Sequence, residues 1–150
     1  MIFCDFCALS PTQRKTLLAK FHKFLKPSGL VLLDVYSLNA FNDKDEVITY
    51  EYNQLDHFWS PENYYGFLNT FKYDKEKVTL DKYTIIEKER TRVFYNWLQY
   101  FSQDSLRKEF EENRFEVIEF YSDVAGSDFS SDSPDMAVVA KKVGGTHKAN

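Results

Sequence analysis

The chain has 150 residues, a formal net charge of −4 and a pI near 5.4, with 43% hydrophobic and 28% charged residues. That length fits one domain with a core of its own. The acidic balance, with lysines interleaved among acids, argues against nucleic acid or anionic membrane as a partner, and no apolar run approaches the ~20 residues of a membrane span.

The opening MIFCDF lacks the basic start of a signal peptide, so the expected location is the cytoplasm. Residues 1–5 read as an apolar strand. Cys4 and Cys7 are the only cysteines and have C-x-x-C spacing, which suits a redox dithiol or half of a zinc site. A zinc site needs two more soft ligands, and His22, His57 and His147 are scattered without ligand spacing, so no metal is expected. Redox motifs of this spacing place the first cysteine at a helix start, whereas Cys4 reads as part of a strand. The favoured reading is two small buried or half-buried thiols.

Ser10, Pro11 and Gln13 form a helix start with a capping box, and the helix is predicted to run to about Leu25. Leu17, Leu18, Phe21, Phe24 and Leu25 make one apolar face, with Arg14, Lys15, Lys20 and Lys23 mostly off it. Pro27 and Gly29 turn the chain into LVLLDV, whose continuous apolarity predicts a strand buried on both sides and parallel to the first.

Between Tyr36 and Phe101 lie 17 of the 26 aromatics, in short alternating runs that predict an antiparallel sheet. Strands are expected near 46–52, 66–73, 78–87 and 91–101, with residues 74–77 as the central turn. In the last strand Val93, Tyr95, Trp97 and Phe101 point one way and Phe94, Asn96, Leu98 and Tyr100 the other, both faces apolar enough to be covered. Ser102 or Asp104 then caps a short helix with Leu106 and Phe110 inward, followed by strands 115–120 and 136–142 around a polar loop. The tail 143–150 is expected to be disordered.

The order of elements in residues 1–36 and 102–142 resembles the C-terminal half of a class I S-adenosylmethionine-dependent methyltransferase. The segment IFCDFCALSPTQRKTLLAKFHKFLKPSGLVLLDVYS looks like that family's fourth strand, following helix and fifth strand, and its KPSG turn is similar to the family's LKPGG turn. The resemblance implies an α/β fold: a partial Rossmann-like sheet (fourth and fifth strands plus the C-terminal antiparallel hairpin) with an inserted aromatic-rich antiparallel sheet. Residues 1–142 would form one domain, with 37–101 as a substrate-side cap. The family's glycine-rich loop and the acidic residue closing its second strand have no counterpart here, since no G-x-G follows a strand. The implied protein is the C-terminal portion of an enzyme that uses S-adenosylmethionine, with no cofactor bound by this portion alone.

The resemblance places Cys4, Asp5 and Phe6 beside the cofactor's methionyl end, with Asp5 as candidate base. Methyl transfer from a sulfonium is an in-line displacement, so alignment matters most and a base only where the nucleophile carries a proton. Tyr36 ends the next strand and could reach the pocket, while Asp34 reads as structural. Phe58, Trp59, Tyr64, Tyr65, Asn96, Trp97 and Tyr100 are candidate walls for a small-molecule substrate, because aromatic faces suit a cationic sulfonium and a planar acceptor alike. Any one of them alone reads more readily as core of the inserted sheet than as a wall. His57 is a further candidate base, and His22 reads as a boundary residue. An exposed edge at strand 1–5 predicts self-association there. The competing reading is a non-enzymatic α+β ligand-binding or protein-interaction module with an aromatic-lined pocket.

Overall fold

The computed structural model describes residues 1–144. Residues 145–150, the greater part of the expected disordered tail, lie outside the described residues.

Local capping chemistry sets the two longer helices. The Ser10 hydroxyl accepts the Gln13 amide at 3.3 Å while Gln13 Oε1 accepts the Ser10 amide at 2.8 Å, so α1 (Pro11–Phe24) begins where the sequence predicts. After α1 the chain doubles back at Gly29, where a Cβ would lie 2.9 Å from the Lys26 carbonyl oxygen. The face of α1 is rotated from expectation: Phe24 is 77% exposed, and Arg14, expected off the face, is 5% exposed. Arg14 goes inside because its charge is met there. Its Nε donates to Glu109 at 2.6 Å, its Nη1 donates to the Leu9 carbonyl at 2.7 Å, and the guanidinium lies over the Phe6 and Phe101 rings.

β1 (Leu30–Tyr36) is followed by α2 (Leu38–Asp43), and α4 (Gln103–Glu112) begins at Ser102, which forms a reciprocal cap with Ser105. With β6 (Phe115–Tyr121) and β7 (Asp135–Lys142), β1 forms a three-stranded sheet in the order β1-β7-β6, antiparallel throughout. Val31, Leu33 and Val35 lie opposite Ala140, Val138 and Met136 and share one buried core with Leu18, Leu106 and Phe110 of the helices. Both helices thus cover one face. The expectation that LVLLDV is buried on both sides is corrected, because Leu30 and Leu32 on the other face are exposed.

Residues 1–5 form no strand, and the expected parallel pair is absent among the described residues. Phe3 and Cys4 take left-handed backbone angles, and Asp5–Ala8 form a 3-10 turn that buries Phe6 and Cys7. The backbone groups of this segment find other partners: the Phe3 and Cys4 amides donate to the Asp34 carboxylate at 3.1 and 2.9 Å, and the Met1 ammonium donates to the Leu32 carbonyl at 3.0 Å. Further along the same edge of β1, the Tyr36 amide meets Cys7 Sγ at 3.2 Å. The predicted sticky edge at strand 1–5 therefore does not exist in this form.

The aromatic segment folds as predicted into a second antiparallel sheet, β2-β3-β4-β5, from β2 (Ile48–Tyr52), β3 (Tyr64–Tyr73), β4 (Val78–Glu87) and β5 (Thr91–Gln99). Its inner face receives the segments flanking β2, among them Lys44, Trp59 and the short turn α3 (Gln54–His57), whose Leu55 and Asp56 are left-handed. On this face Thr70 Oγ1 donates to Asp81, which also pairs with Lys44 at 3.6 Å, so the buried carboxylate is neutralised. The other face is open rather than covered, contrary to the expectation for β5. The two sheets meet at β1 and the end of β5, where the Phe101 amide donates to the Tyr36 carbonyl at 3.0 Å and the Tyr100 ring lies 5.8 Å from Tyr36 and 5.3 Å from Phe41.

Candidate functional site

A cleft of about 400 Å3 lies between the 3-10 turn with the start of α1 and the lower end of the aromatic sheet. This is within the ~300–1,000 Å3 usual for small-molecule pockets. One wall is Cys7, Ala8, Leu9, Pro11, Gln13 and Arg14, and the other is Tyr73, Glu76, Val78, Trp97 and Gln99. Tyr73 and Trp97 reach it together because Tyr73 pairs with Val78, and Trp97 with Leu80, on one face of the sheet; their rings are 5.6 Å apart. The polar groups of the cleft are mostly held by the fold. Gln99 Nε2 donates to the carbonyls of Glu76 at 2.9 Å and Lys77 at 3.1 Å, and Arg14 is locked by Glu109. The cleft thus offers aromatic faces, a thiol and one carboxylate side chain at Glu76, a set that suits a small planar or weakly basic molecule.

Behind this wall lies an acidic, thiol-bearing cluster. The Cys4 thiol faces Asp135 Oδ1 at 3.9 Å, and Asp34 lies opposite Ala137, next to Asp135 on β7. The hydrogen bond with Cys7, burial and the Asp34 and Asp135 carboxylates push the Cys4 thiol up. Burial, followed by repulsion from Asp34, raises the Asp135 carboxyl. Both cysteines are free and buried, as expected, but Cys4 caps the 3-10 turn rather than belonging to a strand. A thiol raised in this way stays protonated at neutral pH and is a poor nucleophile.

Of the residues predicted for the site, Trp97 alone lines the cleft. Tyr36 and Tyr100 pack against each other at the junction of the two sheets, and burial raises both phenols. Phe6, expected beside a cofactor, is fully buried between Phe101 and Phe110. Cys4 is buried and Asp5 is exposed at the first position of the 3-10 turn; neither lines the cleft. Trp59 stacks on Phe94 at 4.7 Å on the inner face, and the buried Tyr64 hydroxyl donates to the Gln54 carbonyl. Phe58 and Asn96 are exposed, and Tyr65 sits on the open face against Tyr52. His57 is exposed at the end of α3, and His22 lies edge-on to Phe115 at 5.6 Å. The sequence reading missed Tyr73, Glu76 and Arg14. Alternation along 66–73 does place Tyr73 on the open face with Phe67 and Phe71, whereas nothing local marks Arg14.

The residues present do not form a cradle for S-adenosylmethionine. Among the described glycines, Gly29 packs on the end of α1, Gly66 faces the Gln54 side chain, and Gly126 and Gly144 have no heavy atom within 4 Å of an added Cβ. No G-x-G loop follows a strand among the described residues. No group of three or more His, Cys, Asp or Glu suited to a metal occurs among the described residues, and no helix there is long and apolar enough to cross a membrane.

No protein-family model matches the sequence, and no curated protein matches it. Solved structures do match. The CcbJ methyltransferase from Streptomyces caelestis superposes with a TM-score of 0.66 at 14% identity, over 95% of this chain and 55% of that one. An S-adenosylmethionine-dependent methyltransferase from Clostridium acetobutylicum gives 0.66 at 8% identity, over 95% and 56%. The sugar N-methyltransferase KedS8 from Streptoalloteichus gives 0.52 at 13% identity, over 91% and 51%. The chain therefore has, at the level of overall fold, the architecture of S-adenosylmethionine-dependent methyltransferases, and it spans about half the length of the solved structures it matches.

Proposed function

We propose that this chain is the C-terminal, acceptor-binding portion of an S-adenosylmethionine-dependent methyltransferase acting on a small molecule, and that it is not catalytically competent alone. The observation that carries this reading is the pairing of a methyltransferase-like fold over 95% of the chain with a substrate-sized cleft and no glycine cradle. In this reading Tyr73 and Trp97 orient the acceptor on their ring faces, Glu76 favours a basic group on it, and residues 37–101 act as the cap. Asp5, Cys4 and Phe6 support the 3-10 turn that forms the facing wall and hold no ligand themselves. The cofactor half is supplied from outside the 150 residues. Isothermal titration calorimetry of the chain with S-adenosylmethionine tests this directly. No binding up to about millimolar ligand is expected, and a micromolar dissociation constant, worth about 8 kcal/mol, would overturn the claim that the cofactor site is incomplete.

A further inference from the structure

The open face of the β2-β3-β4-β5 sheet carries eighteen side-chain positions, of which one, Lys82, is charged. Eight are aromatic. Tyr50 is 73% exposed, Tyr95 60% and Trp97 46%. Tyr50 stacks on Phe67, Tyr52 lies on Tyr65 and Tyr73 lies on Trp97, so the rings form a plate rather than isolated patches. Strand spacing and rise make this plate about 30 Å by 19 Å, on the order of 600 Å2 in projection. A standard interface buries ~800 Å2 per partner, and monomeric proteins rarely expose apolar patches beyond a few hundred Å2.

We propose that this face is the interface of a two-fold symmetric dimer of this chain, with the two four-stranded sheets stacked face to face. A second copy is the occupant that the plate fits. A charged partner would find one charge to pair with, whereas an aromatic, nearly uncharged sheet face matches its own image under a two-fold axis. Stacked sheets sit ~10 Å apart, a gap that aromatic side chains from both sides fill. Tyr73 and Trp97 belong to both the plate and the cleft, so the facing sheet would also roof the cleft on its open side. That second consequence rests on the acceptor-cleft reading; the dimer does not.

Sedimentation equilibrium of the 150-residue chain across about 1–100 μM, where dissociation constants of this kind of interface fall, is expected to show a dimer. The variant Tyr50→Lys/Tyr95→Lys, which spares the cleft, is expected to keep its circular dichroism and weaken association by at least about thirtyfold, the loss of one ~2 kcal/mol hot spot. Leu30→Lys/Leu32→Lys on the other sheet is expected to leave the dimer intact. A wild-type monomer at the top of this range, including one that co-sediments with phosphatidylcholine vesicles, overturns the proposal. So does a dimer that survives Tyr50→Lys/Tyr95→Lys or dissociates with Leu30→Lys/Leu32→Lys. Should the tyrosine variant lose its fold, acrylamide quenching of the wild type decides: it is expected to rise on dilution as Trp97 is uncovered, and a dimer whose quenching stays constant on dissociation refutes the interface. Cofactor titration reads a different property, so failure of the methyltransferase reading is distinguishable.

Discussion

Asp34 and Cys4 show how a residue's role depends on partners that local sequence does not reveal. Asp34 reads as a structural carboxylate at a strand end, and it is one, but the amides it holds belong to Phe3 and Cys4, about thirty residues earlier in the chain. Arg14 was illegible for the same reason, since its burial depends on Glu109. Ser10 and Ser102 were legible because a cap is completed within one helical turn. The raised Cys4 thiol leads to a test. Alkylation of Cys4 by iodoacetamide at pH 8 is expected to be at least about tenfold slower in the native chain than in denaturant, as read by peptide mass spectrometry; equal rates would contradict the buried, acid-flanked geometry. Because the folded thiol holds its proton more tightly than the unfolded one, this group's contribution is present below the unfolded thiol value of about 8.5 and declines as pH rises above it.

Elements were legible wherever periodicity is local. The two faces of β5 separated as the alternation of Val93, Tyr95 and Trp97 against Phe94, Asn96 and Leu98 predicts, because strand side chains alternate strictly. Whether either face finds a cover is decided by other elements, and one of them does not. Likewise, LVLLDV is apolar at every position but Asp34, yet both neighbouring helices lie on one side of it. Gly66 in β3 is a more specific case: a Cβ there would fall 2.5 Å from Gln54 Oε1 and 2.7 Å from its Cβ. Gly66→Ala is therefore expected to cost about 1–3 kcal/mol through overpacking against the turn α3. In a Gln54→Gly background, which removes both of these atoms, most of that cost should disappear, giving a coupling on the order of 1 kcal/mol or more in a urea-denaturation cycle. Additive losses would show that the two residues do not meet as described.

At the scale of the whole molecule, the order of elements and the aromatic insertion were legible, and the parallel pair was not, because residues 1–5 turn into Asp34 instead of running beside β1. The two sheets are joined through few groups, with Tyr100 central among them: it is 5% exposed, packs on Tyr36 and Phe41, and shares a hydrogen bond of 3.3 Å with Thr79. The wild-type chain is expected to unfold in one transition, with tryptophan fluorescence from the aromatic sheet and far-ultraviolet circular dichroism coinciding. Tyr100→Ala should cost about 3–5 kcal/mol and separate the two probes; coincident curves in that variant would place the coupling elsewhere. The turn at residues 1–4 carries a kinetic consequence. Because the Asp34 carboxylate already holds the Phe3 and Cys4 amides along the outer side of β1, any strand that extends the sheet there must displace them, so growth of the sheet in that direction is an exchange with a barrier, and stray chains are turned away by the same contacts.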